Sequence, residues 1–126
     1  MQDKHALFEM AHFGIVLVNG PYQLQRWETA YNIANTALEL SDKVTFFLFM
    51  DGVYNLLKTE HFPAMKKVPK DYFSELIKKG AEIYACEVCT NNRGLEEGRN
   101  YLDGVRITGA AIVSEMVSKC DRIITL

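Results

Sequence analysis

The sequence has little that would mark a secreted, membrane-spanning or nucleic-acid-binding protein. Its 126 residues include only three cysteines, and the formal net charge is −2. Three cysteines are too few for the disulfide framework of a small secreted domain, and a chain without excess Lys and Arg does not favour phosphate backbones. No apolar run approaches the roughly 20 residues that a membrane-spanning helix needs. We therefore expect a cytoplasmic protein with reduced thiols, no membrane association and no direct nucleic-acid binding.

Several enzyme motifs are also missing. The chain contains no G-x-x-x-x-G-K-[ST] or G-x-G-x-x-G loop for nucleotide phosphates, no G-x-S-x-G and no H-E-x-x-H. The single C-x-x-C pair stands far from His5, His12 and His61, without the paired spacing of a structural zinc site. We expect no metal and no cofactor.

What the chain does have is the composition of an ordinary globular domain. Hydrophobic residues make up 48% of it and charged residues 24%. This balance and length predict one domain over residues 1–126, with residues 1–12 as an irregular lead-in.

Apolar runs and helical periodicity alternate along the chain. Continuous apolar runs at 13–18 and 44–50 are typical of strands buried on both faces. Between them, Trp27, Ala30 and Ala34 fall on one stripe of a helix predicted over 24–40. The remaining predictions are strands at 81–85, 105–107 and 122–126, a helix capped by Asp71 and stopped at Gly80, a surface loop over 59–69, a partly helical segment over 95–103, and a helix over 108–119.

This order of elements predicts the fold class. Strands separated by helices form right-handed parallel units. We expect an α/β fold, a three-layer doubly wound domain with a mostly parallel sheet of about five strands, flavodoxin-like in general architecture.

In such a sheet, ligands and chemistry gather beyond the carboxyl ends of the strands. That rule collects a small set of candidate pocket residues at the ends of the first three predicted strands. They are Asn19, Gly20, Asp51, Gly52, Cys86 and Glu87.

The three cysteines differ in their expected roles. Cys86 ends a buried strand, where unpaired backbone N–H groups and Arg93 favour the reactive thiolate, whereas Glu87 opposes it. Cys89 follows three residues later and is a candidate second thiol, able to form a disulfide or exchange sulfur with Cys86, or else a packing residue. Cys120 continues the apolar face of the last helix and is expected to pack.

Together these motifs resemble the DsrE/DsrF-like sulfur-relay family, in its TusD-like pattern, over nearly the whole chain from Phe13 to Leu126. The residues that carry the resemblance are Asn19-Gly20-Pro21, Met50-Asp51-Gly52-Val53-Tyr54-Asn55, the spacing from Cys86 to Arg93-Gly94, and Cys120-Asp121-Arg122-Ile123-Ile124.

The resemblance implies a sulfurtransferase-type carrier. In the family, the cysteine matched by Cys86 accepts sulfane sulfur as a persulfide and passes it on, in tRNA thiolation or sulfur oxidation. Asn19 and Asp51 would shape the pocket. Implied partners are sulfur donor and acceptor proteins, within a homo-trimer or hexamer or a hetero-oligomer of related subunits. Cys89 has no counterpart in the TusD-like pattern.

Two alternatives remain open from the residues. One is a non-catalytic subunit or small-ligand binding module in which Cys86 is inert. The other is a dithiol redox protein in which Cys86 and Cys89 form a reversible disulfide.

Overall fold

One sheet of five parallel strands forms the centre of the computed structural model, which describes residues 10–60, 62–66 and 68–126. In chain order the strands are β1 (His12–Leu17), β2 (Lys43–Leu48), β3 (Glu82–Cys86), β4 (Val105–Thr108) and β5 (Arg122–Thr125). They lie side by side in the order β4-β3-β2-β1-β5. β1 is a central strand between β2 and β5, as its apolar sequence predicts.

Helices cover both faces of this sheet. They are α1 (Arg26–Glu39), α2 (Pro69–Lys78), α3 (Glu87–Asn91) and α4 (Ala111–Lys119), with a 3-10 helix at Met50–Tyr54. α1 and α2 pack together on one face, where the rings of Phe46 and Phe73 meet at 5.2 Å. α4 lies on the other face, because a Cβ on Gly14 of β1 would sit 3.0 Å from the Met116 side chain.

The predicted three-layer α/β class is confirmed. The strand order nevertheless departs from flavodoxin's 2-1-3-4-5, so the likeness to flavodoxin is one of layers only. The chain moves from β1 outward to β4 and then crosses back to β5. This reversal puts α4 on the face opposite α1 and α2.

Several predicted boundaries are wrong by a few residues. β1 begins at His12, one residue inside the predicted lead-in, of which residues 1–9 lie outside the described part of the chain. α2 begins at Pro69 behind Val68, without a side-chain cap, so Asp71 lies in its first turn and does not cap it. Pro suits this first helical position because its missing N–H has no partner there in any case. α4 starts at Ala111, since β4 continues to Thr108.

The segment 95–103 was predicted to be partly helical and is instead a series of turns. Its anchor is Tyr101, which is fully buried, bridges to Leu57 and donates a 2.7 Å hydrogen bond to the carbonyl of Val53. The predicted loop over 59–69 is observed up to α2, although Phe62 within it is buried; His61 and Lys67 lie outside the described residues.

Three helices end in the same hydrogen-bonded turn, in which a residue beyond the helix takes a left-handed conformation. That residue is Ser41 (φ 66°) after α1, Gly80 (φ 105°) after α2 and Gly94 (φ 70°) after α3. In each turn the next N–H reaches back to a carbonyl five residues earlier, as Leu95 does to Thr90 at 3.0 Å. The turn at Gly94 directs the chain away from the sheet directly after Arg93.

Within the described residues, no helix combines the length and apolar character that crossing a membrane requires.

Candidate functional site

The carboxyl end of β3 brings the two cysteines of the C-x-x-C pair together. Cys86 is the last residue of β3 and the N-cap of α3, with extended backbone (φ −62°, ψ 125°), and Cys89 lies in α3. Both are free thiols and nearly buried, with 7% of Cys86 and 6% of Cys89 exposed. The two thiols therefore lie at the carboxyl end of β3, as the sequence predicts, and are almost completely shielded from solvent.

The Cys89 thiol is influenced by burial and by the neighbouring thiol of Cys86. Burial is the largest cause that raises the pKa of Cys89 above its ordinary value of 9.0, and the hydrogen bond with Cys86 raises it further. Cys89 therefore keeps its proton to a higher pH than an ordinary thiol does, partly because of its neighbour Cys86.

Cys89 also has partners that oppose this shift. The backbone N–H of Met50 donates to its Sγ at 3.2 Å, and this bond, with the charge of Arg93, acts to lower the pKa of Cys89. Met50 makes the contact from a left-handed conformation (φ 52°), which is uncommon for a residue with a side chain. The sequence prediction assigned Arg93 to Cys86, whereas the described contacts bring it to Cys89.

Arg93 is held by three groups at once. Its guanidinium donates to Asp51 Oδ1 at 2.8 Å and to the carbonyl of Cys89 at 3.0 Å, and it lies 5.7 Å from the ring centre of Tyr54. The hydrogen bond to Asp51 is the main cause that raises the pKa of Arg93. Asp51 and Arg93, from separate loops, thus form one fixed charged pair behind the cysteines.

Cys86 lines an apolar cavity of about 420 Å³ on the α4 face of the sheet. Its floor contains Phe47 and Phe49, whose rings stack at 5.9 Å. The remaining lining residues are Val16, Ala110, Val113 and Ser114. Cys89 is not among the lining residues.

A second cavity, of about 380 Å³, lies between the loops after β1 and β2. It is lined by Gly20, Pro21, Tyr22, Gln23, Asp51, Tyr54, Glu60 and Phe62. Gln23 accepts the N–H of Gly20 at 2.6 Å, which closes the loop. Burial raises the pKa of Glu60 to about 7, against the opposing charge of Lys70. Asp51 connects this cavity to the cysteines, since it also binds Arg93.

The other predicted pocket residues lie outside both cavities. Asn19 accepts the side-chain N–H of Asn55 on its carbonyl at 2.8 Å. Gly52 is a packing position, because a Cβ there would lie 1.8 Å from the carbonyl oxygen of Leu17. Glu87 is exposed in the first turn of α3. Asn19 and Gly52 thus shape the backbone behind the site.

Sequence reasoning missed the contact of Met50 and the aromatic cavity floor. The segment from Met50 to Asn55 was recognised as a motif, but a left-handed methionine leaves no sequence signal. Phe47 and Phe49 were recognised only as strand formers. Their two-residue spacing places both on one face of the sheet, which was the available signal.

Cys120 stands apart from this site. A Cβ on Gly14 would lie 3.0 Å from Cys120 Sγ, which places that thiol over β1 near the amino end of the sheet. Burial raises the pKa of Cys120, and the thiol is half-buried. Its surroundings agree with the predicted packing role.

The chain is similar in sequence and in fold to known proteins. The chain is 30% identical over 122 residues to an uncharacterized protein of Methanocaldococcus jannaschii, covering 94% of this chain but 44% of that protein. It is 27% identical to a TusC homolog of Aliivibrio fischeri, covering 90% and 98% of the two chains. The crystal structure of the ychN protein of E. coli superposes with a TM-score of 0.76 at 22% identity, covering 93% of this chain and all of that one. At this identity the superposition supports the fold alone.

The family model covers nearly all of the described structure. It matches residues 11–126, from just before β1 to the last residue, and so includes both cysteines, the Asp51–Arg93 pair and both cavities. The chain is therefore a member of the DsrE/DsrF-like family.

Proposed function

We propose that this protein carries sulfane sulfur as a persulfide on Cys86 and passes it to a partner protein. Membership of the DsrE/DsrF-like family implies a role in sulfur relay. The observation that carries the finer proposal is the position of Cys86, which lines an apolar cavity and lies beside a second thiol.

Loading is a thiolate substitution. The Cys86 thiolate attacks the outer sulfur of a donor persulfide, a new S–S bond forms on Cys86, and the donor leaves as its own thiolate. In the transfer step, an acceptor thiolate attacks the outer sulfur of the Cys86 persulfide, and Cys86 leaves as a thiolate.

The cavity suits a bound persulfide. Phe47 and Phe49 surround the space beyond Cys86 with apolar surface, and polarizable sulfur packs well against aromatic rings. Exposed apolar side chains on the neighbouring rim, at Phe49, Met50 and Val88, provide surface that a donor or acceptor protein would cover.

The test is sulfur loading followed by intact mass spectrometry. After incubation with glutathione persulfide, the unaltered chain should gain the mass of one sulfur atom, and Cys86→Ser should gain none because the accepting sulfur is gone. Cys120→Ser is the matched control and should load normally, since that thiol lies at the other end of the sheet. Normal loading of Cys86→Ser would refute the assignment.

A further inference from the structure

A protein that only carries sulfur on Cys86 does not need a second buried thiol beside it, yet Cys89 is there. From this geometry we propose that Cys89 resolves the Cys86 persulfide, releasing its outer sulfur as hydrosulfide and forming a Cys86–Cys89 disulfide. The inference rests on the proposed function, since it requires a persulfide on Cys86. It adds a second activity, sulfide release, to sulfur transfer.

The first step of the argument is the direction of attack. Thiol–disulfide exchange depends on which sulfur of the pair is reached by the nucleophile. Cys86 lines the apolar cavity and Cys89 does not, so the cavity offers room for an outer sulfur on Cys86. With the outer sulfur in the cavity, attack by Cys89 on the inner sulfur would expel the outer one.

The second step is reach. Residues three apart on a helical turn have Cβ atoms about 5–6 Å apart, and a disulfide needs about 3.5–4.5 Å. The difference is small. Cys86 is the N-cap of α3 and has extended backbone, so a modest rotation there would bring the two Cβ atoms within disulfide distance. The two thiols already interact, since Cys86 is among the causes that raise the pKa of Cys89.

The third step is the chemistry, which balances without an external oxidant. The Cys89 thiol loses its proton, its sulfur bonds to the inner sulfur of the Cys86 persulfide, and the S–S bond to the outer sulfur breaks. The outer sulfur leaves with the electron pair as hydrosulfide. The sulfane sulfur is reduced and the two cysteines are oxidised to a disulfide, which a dithiol reductant then returns to two thiols.

The surroundings of Cys89 determine the rate of this step. The Met50 N–H and Arg93 favour its thiolate, but burial and the bond to Cys86 raise its pKa overall. Thiolate is scarce near neutral pH, so the persulfide persists long enough for an acceptor protein to take the sulfur. Only sulfur that finds no acceptor is discharged as sulfide.

The experiment follows sulfide and protein mass together. Unaltered chain, Cys89→Ser, Cys89→Ala and Cys120→Ser are loaded anaerobically with glutathione persulfide, freed of excess reagent and incubated without acceptor. Unaltered chain and Cys120→Ser should release one sulfide for each Cys86–Cys89 disulfide formed. Both Cys89 variants should keep the added sulfur, with sulfide release at least about tenfold slower.

The possible failures are distinct. If no chain gains sulfur, the proposed function is refuted and this inference with it. If all chains load but the Cys89 variants release sulfide as fast as the unaltered chain, only the inference is refuted. It is also refuted if peptide mapping finds the sulfur moved intact to Cys89, or if a donor-free sample forms the same amount of disulfide. The ratio of sulfide released to disulfide formed in the unaltered chain tests the inference even if a variant folds poorly.

Discussion

At the scale of single residues, Arg93 is the one whose role changed most between sequence and structure. Its described hydrogen bonds go to Asp51 and to the carbonyl of Cys89, so its charge acts on Cys89. A charge held this firmly is a constant influence on the neighbouring thiol. Arg93 is therefore a positioning residue in the proposed chemistry.

Replacing Arg93 should shift the pH dependence of Cys89. Arg93→Gln removes a cation that lowers the pKa of Cys89, so the pKa should rise and thiolate should form only at higher pH. The measurement is the alkylation rate of Cys89 against pH in a Cys86→Ser background, with peptides separated by mass spectrometry. Arg93→Lys keeps the charge and should retain most of the original profile. An unchanged profile in Arg93→Gln would show that the charge does not reach the thiol.

Glu60 offers a second residue-scale test, of stability against pH. Its pKa is raised from an ordinary 4.5 to about 7, so the folded protein holds a proton there that the unfolded chain has lost. The resulting stabilisation is complete below about pH 4.5 and is lost as pH rises through about 7. Glu60→Gln should lessen this decline. Urea unfolding at about pH 5 and about pH 8 measures it, and the exposed Glu96→Gln, whose partner is Arg99, should leave the decline unchanged.

At the scale of elements, the strands were predictable and the connections between them were less so. β1 and β2 are mostly apolar, and a chain with that pattern buries both faces of the strand. The position of Cys86 at a strand end followed from the same reasoning. Tyr101 was missed because it lies in a mostly polar segment without helix or strand periodicity, and its contacts with distant segments bury it.

The conformations of the connections decided the rest of the site. Gly80 and Gly94 stand where a helix end needs a left-handed residue, and glycine signals that need in the sequence. Ser41 and Met50 adopt left-handed conformations without that signal. The contact between Met50 and Cys89 was therefore beyond prediction.

Ser41 provides a prediction about α1. A residue with a side chain is strained in the left-handed conformation that ends this helix, while glycine is not. Ser41→Gly should raise the free energy of unfolding by about 0.5–1 kcal/mol. Gly80→Ser is the reverse change at the end of α2, where a Cβ meets no atom within 4 Å, and should lower it by a similar amount. Chemical denaturation of the two variants checks this, and a loss of stability in Ser41→Gly would contradict it.

At the scale of the whole molecule, the two faces of the sheet are unequally covered. α1 and α2 pack against one face, while the other has the nine-residue α4 and retains exposed apolar side chains. Val117 of α4 is 65% exposed and Ile123 of β5 is 39% exposed. We expect the trimer or hexamer that the family resemblance implies to bury these two side chains.

Assembly through this face can be tested directly. Val117→Asp should reduce the mass of the particle in size-exclusion chromatography with light scattering, because a charge buried without a partner opposes association. Leu40→Asp changes an equally exposed residue at the end of α1 and should leave the mass unchanged. A monomeric unaltered chain, or an unchanged assembly in Val117→Asp, would remove the α4 face as the interface.

Met50, in its left-handed conformation, has both an exposed side chain and a backbone contact with Cys89. Its side chain is 48% exposed, and its backbone N–H bonds to Cys89 Sγ. A change in the Met50 backbone that withdrew this N–H would therefore make the Cys89 thiolate still scarcer and the proposed release of sulfide slower.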